Sequence, residues 1–239
     1  MTERYRPEGV TMGTPDNEKR LFEMSAPSGI SWQEGVRLIS FPRVLSGLRS
    51  LDIGAGASDL VCKLLEEDAD AYAVDPAYLN MSGLIEQVKL ANMLLKLRYG
   101  DIYKPRDTAL ERFIRSSKEQ PTRYKQAFAS SLPFEDNYFN LVYSINSIFP
   151  YVDADPQLAI RVIKECLRVT KPGGMIQLFP FEGKVDFGQG QEILKLRTVS
   201  HLRLSEWIRS NPRVGYSITR VGKANDRKLT LVKKKVDIN

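Results

Sequence analysis

The stretch Leu51-Asp52-Ile53-Gly54-Ala55-Gly56-Ala57-Ser58-Asp59-Leu60 brings together the end of a strand, a glycine turn and the start of a helix. Arg49 to Ile53 has the apolar character of a buried strand. Gly54 and Gly56 carry no Cβ, so another molecule can approach the backbone there. Ser58 is placed to cap a helix through Leu60, Val61, Leu64 and Leu65, with Asp59 in its positive first turn. This order suits a nucleotide-type ligand at the mouth of a parallel sheet, and it also suits a plain turn. The flanking segments decide between the two.

Downstream, Ala69 to Asp75 reads as a second short strand ending in an acid. Asp75 lies 21 positions after Gly54. A carboxylate at that distance can accept from the two hydroxyls of a ribose. Its place before Pro76 gives it a turn role as well. Residues 81–98 form a helix with Leu84, Ile85, Val88, Ala91, Leu94 and Leu95 on one side. Asp101 to Gln120 reads as inserted material with a helix around Asp107–Ser117, whose mixed charges suit a solvated face.

Tyr124 to Ala129 makes a third strand and Phe139 to Tyr143 a fourth, followed by a helix from Pro156 to Val169. Lys171-Pro172-Gly173-Gly174 stops that helix and turns into a fifth strand, Met175 to Phe179. A helix ends near Asn211-Pro212. Two strands at about 214–221 and 228–235 follow, joined too tightly for a crossover and so antiparallel. The alternation predicts an α/β, Rossmann-like fold. Its seven-stranded sheet is mostly parallel, with helices on both faces and a C-terminal antiparallel hairpin. The binding crevice belongs at the carboxyl ends of strands one, two and four.

Upstream of the glycine turn, residues 1 to about 28 read as a polar arm, and Ser31 begins a helix with Trp32, Val36, Leu38 and Ile39. The domain reading is therefore an N-terminal arm and lid helix over 1–45 and a main domain over 46–239, with the insertion at about 101–121.

The chain has 239 residues, of which 42% are hydrophobic and 27% charged. No apolar run reaches the roughly 18 residues that span a bilayer, and the first 20 residues lack a signal-peptide core. A soluble, cytoplasmic protein with no membrane partner is expected. Cys62 and Cys166 are too few for a disulfide framework or a zinc site, and no metal is expected. The net charge of +6 is uneven: Lys184 to Asn239 carries 13 Lys/Arg against 5 Asp/Glu. Such a segment suits a solvated surface or an anionic partner.

Four segments in this order resemble the class I S-adenosylmethionine-dependent methyltransferases, in particular the methyltransferase type 11 group. They are Leu51 to Gly56, Ala73-Val74-Asp75-Pro76, Leu132-Pro133-Phe134 through Ser144, and Arg168 to Gly174. The resemblance covers about residues 45–181. It implies S-adenosylmethionine as cofactor and S-adenosylhomocysteine as product. It gives Asp52 a role in orienting the glycine loop and the methionine part, and Asp75 the ribose. Gly54, Ala55 and Gly56 form the loop, with Pro76, Ser130, Ser131, Leu132 and Ser144 completing the cofactor set. The chain departs from the group's pattern at Phe128, where relatives often place an Asp for the adenine amine, and at Asn140, where they often have Asp.

Methyl transfer from a sulfonium is an in-line displacement, so the protein mainly aligns the reactants and excludes water. No catalytic constellation stands out. Tyr143, Asn146 and Tyr151, in or beside the loop after strand four, are the polar candidates. His201, the only histidine, falls in the late helix, away from the sheet mouth. The expected acceptor is a small molecule. The alternatives are an RNA methyltransferase using the basic C-terminal part and a non-catalytic methyltransferase-like binding protein, the latter motivated by Phe128 and Asn140. A dinucleotide dehydrogenase has no need of the terminal hairpin. The acceptor's identity and the oligomeric state are left open.

Overall fold

A computed structural model describes residues 29–99, 104–149, 156–182, 202–221 and 227–235. The chain alternates between strand and helix through most of its length. Helix α1 (Trp32–Leu38) precedes β1 (Arg49–Ile53), α2 (Leu60–Glu66) and β2 (Asp70–Val74). Two helices then stand in series, α3 (Met81–Tyr99) and α4 (Lys104–Glu119), before β3 (Tyr124–Lys125) and β4 (Phe139–Ile145). After α5 (Pro156–Val169) and β5 (Thr170–Glu182) come α6 (202–210), β6 (Val214–Arg220) and β7 (Arg227–Lys233).

The seven strands lie in the order β3-β2-β1-β4-β5-β7-β6. Strands β1 to β5 pair in parallel, and β7 runs antiparallel between β5 and β6. This is the expected fold. Chain order reverses between β1 and β4, which makes the crevice at their carboxyl ends the topological switch point.

Strand alternation divides the core. Leu51 and Ile53 point to one face with Val142, Ile163 and Ile176, under α5 and α6. Asp52 points to the other, where Ile39, Leu60, Leu64, Phe113 and Tyr143 pack with α1, α2 and α4.

Four local expectations need correction. Strand β3 has two residues, because the chain leaves the sheet after Lys125 and closes a small bridge between Phe128 and Ser131. Lys171 to Gly174 does not separate helix from strand: α5 passes directly into β5. These four residues instead form an irregularity, the register jumping from Phe139 with Thr170 to Leu141 with Met175. A Cβ on Gly174 would sit 2.7 Å from Thr170 Cγ2 and 2.9 Å from the Lys171 carbonyl, so only glycine fits. Helix α3 buries Leu84 and Val88, but Leu94 is 55% exposed and shares an open apolar stripe with Leu90, Met93 and Leu97. The charges of α4 are not simply solvated: Arg106 pairs with Glu34 of α1 at 2.8 Å and Arg112 with the buried Asp59 at 3.1 Å.

Candidate cofactor site

The glycine turn is held from two sides. Gly54 and Gly56 adopt φ of 68° and 53°, in the left-handed region that favours glycine. The N–H groups of Gly54 and Ala55 both donate to the Val74 carbonyl at the end of β2, at 2.8 and 3.3 Å. The turn therefore follows β2 as well as β1. Helix α2 begins at Leu60, slightly later than expected, and Ser58 Oγ accepts the Leu60 N–H at 3.1 Å. Asp59 serves a different purpose from the one anticipated. Its buried carboxylate accepts the Trp32 N–H at 2.5 Å and Arg112 Nη1 at 3.1 Å, fastening α1 and α4 to the start of α2.

Asp75 closes the turn. Its Oδ2 accepts the Gly56 N–H and its Oδ1 the Ala77 N–H, both at 2.8 Å. Pro76, half-buried, opens the short 3₁₀ helix that Asp75 caps. From that helix Tyr78 donates its hydroxyl to the Gly56 carbonyl at 2.9 Å. Burial raises the Asp75 carboxyl above its ordinary range, and the two N–H donors partly offset this.

Asp52 lies beside it and is only 3% exposed. No described residue donates a hydrogen bond to its carboxylate. Burial, and then the negative charge of Asp75, push its pKa well above the usual carboxylate range. In register with Asp52 on the same face is Tyr143, fully enclosed, with the edge of Phe41 against its ring. Its hydroxyl also lacks a partner among the described residues, and burial raises its pKa far above that of an exposed phenol.

At the β1–β4 crevice, Ser147 Oγ donates to the Ile53 carbonyl at 2.7 Å and lies 2.5 Å from Ser144 Oγ. A Cβ on Gly54 would overlap the Ser147 side chain. Gly54 thus makes room for a residue of this chain, a contact between positions 93 apart that no local spacing announces. Asn146 is exposed with φ of 56°, and its N–H donates to the Phe179 carbonyl at 2.7 Å. Tyr151 lies outside the described residues.

The segment expected beside the adenine is divided. Ala55 borders the turn, whereas Leu132 is a core residue whose N–H donates to Glu165 of α5 at 2.8 Å. Ser131 is exposed and Ser130 half-buried, in the turn closed by the Ser131 N–H to the Phe128 carbonyl at 3.0 Å. Asn140 is not in this region. It sits at the start of β4, at the opposite end of the sheet, where its Oδ1 accepts the Arg49 N–H at 3.1 Å. Its departure from the resemblance is therefore a matter of strand edges.

A family model described as a methyltransferase domain matches residues 89–178. No curated protein sequence matches the chain. Among solved structures, a complex from Haloferax volcanii between the Trm112 methyltransferase activator and a candidate methyltransferase is similar at TM-score 0.52 and 10% identity, over 92% of this chain and 95% of that one. A SAM-dependent methyltransferase from Aquifex aeolicus aligns at TM-score 0.44 and 16% identity, over 92% and 97%. The PH0226 protein of Pyrococcus horikoshii aligns at 0.45 and 17%, over 78% and 82%. The family model that matches residues 89–178 describes a methyltransferase domain, and the seven strands stand in the order that the four ordered segments lead one to expect.

Proposed function

We propose that the protein transfers a methyl group from S-adenosylmethionine to a small-molecule acceptor. The observation that carries the reading is the acid pair Asp52 and Asp75 around a glycine turn at the switch point. The residues fit the cofactor: Asp52 is a buried carboxylate lacking a partner among the described residues, and the cofactor brings a cationic end. Each Asp75 oxygen keeps a lone pair beyond the N–H it accepts, enough to receive the ribose hydroxyls. Gly54, Ala55, Gly56, Pro76, Ser130, Ser131 and Ser144 complete the proposed surround, with Leu132 supporting from the core.

When bound, the cofactor supplies an activated methyl group on a sulfonium. The chain's own part is to bind, align and exclude water. Tyr78 and Asp75 brace the Gly56 turn, and Asp59 holds the segment at Trp32 beside it. Tyr143, with its raised proton affinity and full burial, suits a wall better than a base. An acceptor that needs no early deprotonation matches this arrangement.

The small-molecule reading is supported by the packing over the sheet, where Trp32 and Phe41 meet at a tilt with centroids 5.3 Å apart and Phe41 meets Tyr143 edge to face at 5.4 Å. Two of the lysines behind the RNA alternative have internal roles. Lys228 is buried on Ser40 and Gln177, and Lys233 donates to Asn137 and to the carbonyls of Leu167 and Thr170. Titration calorimetry with S-adenosylmethionine and S-adenosylhomocysteine, followed by an acceptor screen, tests the proposal. Saturable heat with both ligands supports it. Binding without turnover favours the non-catalytic alternative, and silence with both ligands removes the cofactor reading.

A further inference from the structure

We propose that Asp52 holds a proton in the cofactor-free protein and releases it when the cationic end of the cofactor binds, so that cofactor capture is coupled to proton release. The inference rests on the cofactor reading above and adds its linkage to pH.

The geometry supplies the argument. Strand β1 delivers Asp52 to a face where it is 3% exposed and receives no hydrogen bond from a described residue. Asp75 lies close enough to oppose a second negative charge there, and it alone of the two has N–H donors, from Gly56 and Ala77. Those donors favour its charged form, so the proton of the pair belongs to Asp52. The other titratable groups in this field are phenols: Tyr78 from the 3₁₀ helix, Tyr124 from β3 and Tyr143 from β4. None can offer a positive charge.

Three basic groups on this side of the sheet are engaged elsewhere. Arg112 pairs with Asp59, Arg106 with Glu34, and Lys228 donates to Ser40 and Gln177. A carboxylate buried without a partner neutralises itself, and a bound cation reverses that preference. S-adenosylmethionine carries a sulfonium and an ammonium against one carboxylate, a net positive charge. On binding, the Asp52 O–H bond breaks, the proton passes to solvent, and the carboxylate pairs with the ligand cation. No redox partner is needed.

Calorimetry of the full chain with S-adenosylmethionine over a series of pH values from just above the ordinary carboxylate range upward, at each in two buffers of different protonation enthalpy, tests this. The two buffers take up a released proton with different enthalpies. The expected result is a buffer-dependent heat equivalent to about one proton per cofactor, with affinity rising up to about tenfold per pH unit until Asp52 is ionised. Asp52→Asn should bind with equal heats in both buffers and with a flat pH profile. Wild-type binding with buffer-independent heat at every pH overturns the inference, as does proton release that persists in Asp52→Asn. The wild-type comparison stands alone if the variant does not fold. Absence of any binding overturns the cofactor reading itself, a separate failure.

Discussion

The two ends of the parallel strands treat charge in opposite ways. At the amino ends, acids and bases meet within the chain. Asp70 pairs with Arg49 at 3.5 Å and with Arg123. Arg168 reaches Glu165 at 2.6 Å, Asp136 at 2.7 Å, and the carbonyls of Leu132 and Phe134 at 3.0 and 2.8 Å. At the carboxyl ends, Asp52 lies in the field of Asp75 and of the phenols Tyr78, Tyr124 and Tyr143, with no base acting on it among the described residues. Charge compensated inside the chain serves the fold. Buried carboxyl groups without a base mark the end proposed to take the cofactor.

The largest expected effect tests whether the upper turn is shaped by the protein itself. Gly54→Ala adds a Cβ at positive φ against Ser147 and should cost about 2–5 kcal/mol by chemical denaturation. Adding Ser147→Gly should return the packing part of that loss in a double-mutant cycle. Equal loss with and without Ser147 would show that the turn's backbone alone sets the requirement.

At the lower end, Arg168→Ala should lower stability by about 2–3 kcal/mol, because Glu165 and two carbonyls lose a charged donor. The comparison also requires its cofactor affinity, once the protein is folded, to fall far less than that of Asp75→Ala, since Arg168 reaches the proposed surround only through the Leu132 carbonyl. A matching drop in affinity would blur the division between the two ends.

Asp52→Asn should act with the opposite sign on stability. The raised Asp52 pKa means that the folded chain keeps a proton which the unfolded chain releases. The contribution is present below the ordinary carboxylate range and is lost as pH rises through the folded value. Thermal melts of the cofactor-free variant should therefore show a gain of about 1–3 kcal/mol above that window and little below it. A loss at every pH would mean that a donor pairs with Asp52 after all.

The smallest effect belongs to Tyr78→Phe, which leaves the Gly56 carbonyl without its donor. A loss of about 0.5–1.5 kcal/mol in denaturation midpoint is expected. No change would assign Tyr78 to packing against Phe113 alone.

Much of the frame was legible because it depends on local rules. Helix α5 has the bounds its proline and apolar spacing predict, and the hairpin follows from a connection too short to cross over. Asp75 stands at the end of β2 by the same logic of spacing from the glycine turn. What could not be read depends on contacts between distant positions. Ser147 over Gly54 and Tyr78 on Gly56 leave no periodic signal. Likewise, nothing in the apolar spacing of α3 indicates which of its two stripes is covered. Asn140 drew attention as a departure from a pattern, yet its position on the strand, at the start and not the end, puts it among the structural contacts.

Equilibrium dialysis of methyl-labelled S-adenosylmethionine against the wild type, Asp75→Ala and Arg168→Ala tests the division most directly. The account predicts saturable retention by the wild type and by Arg168→Ala, and retention weakened by about 1–3 kcal/mol in Asp75→Ala. No retention by the wild type, or equal retention by Asp75→Ala, would contradict it.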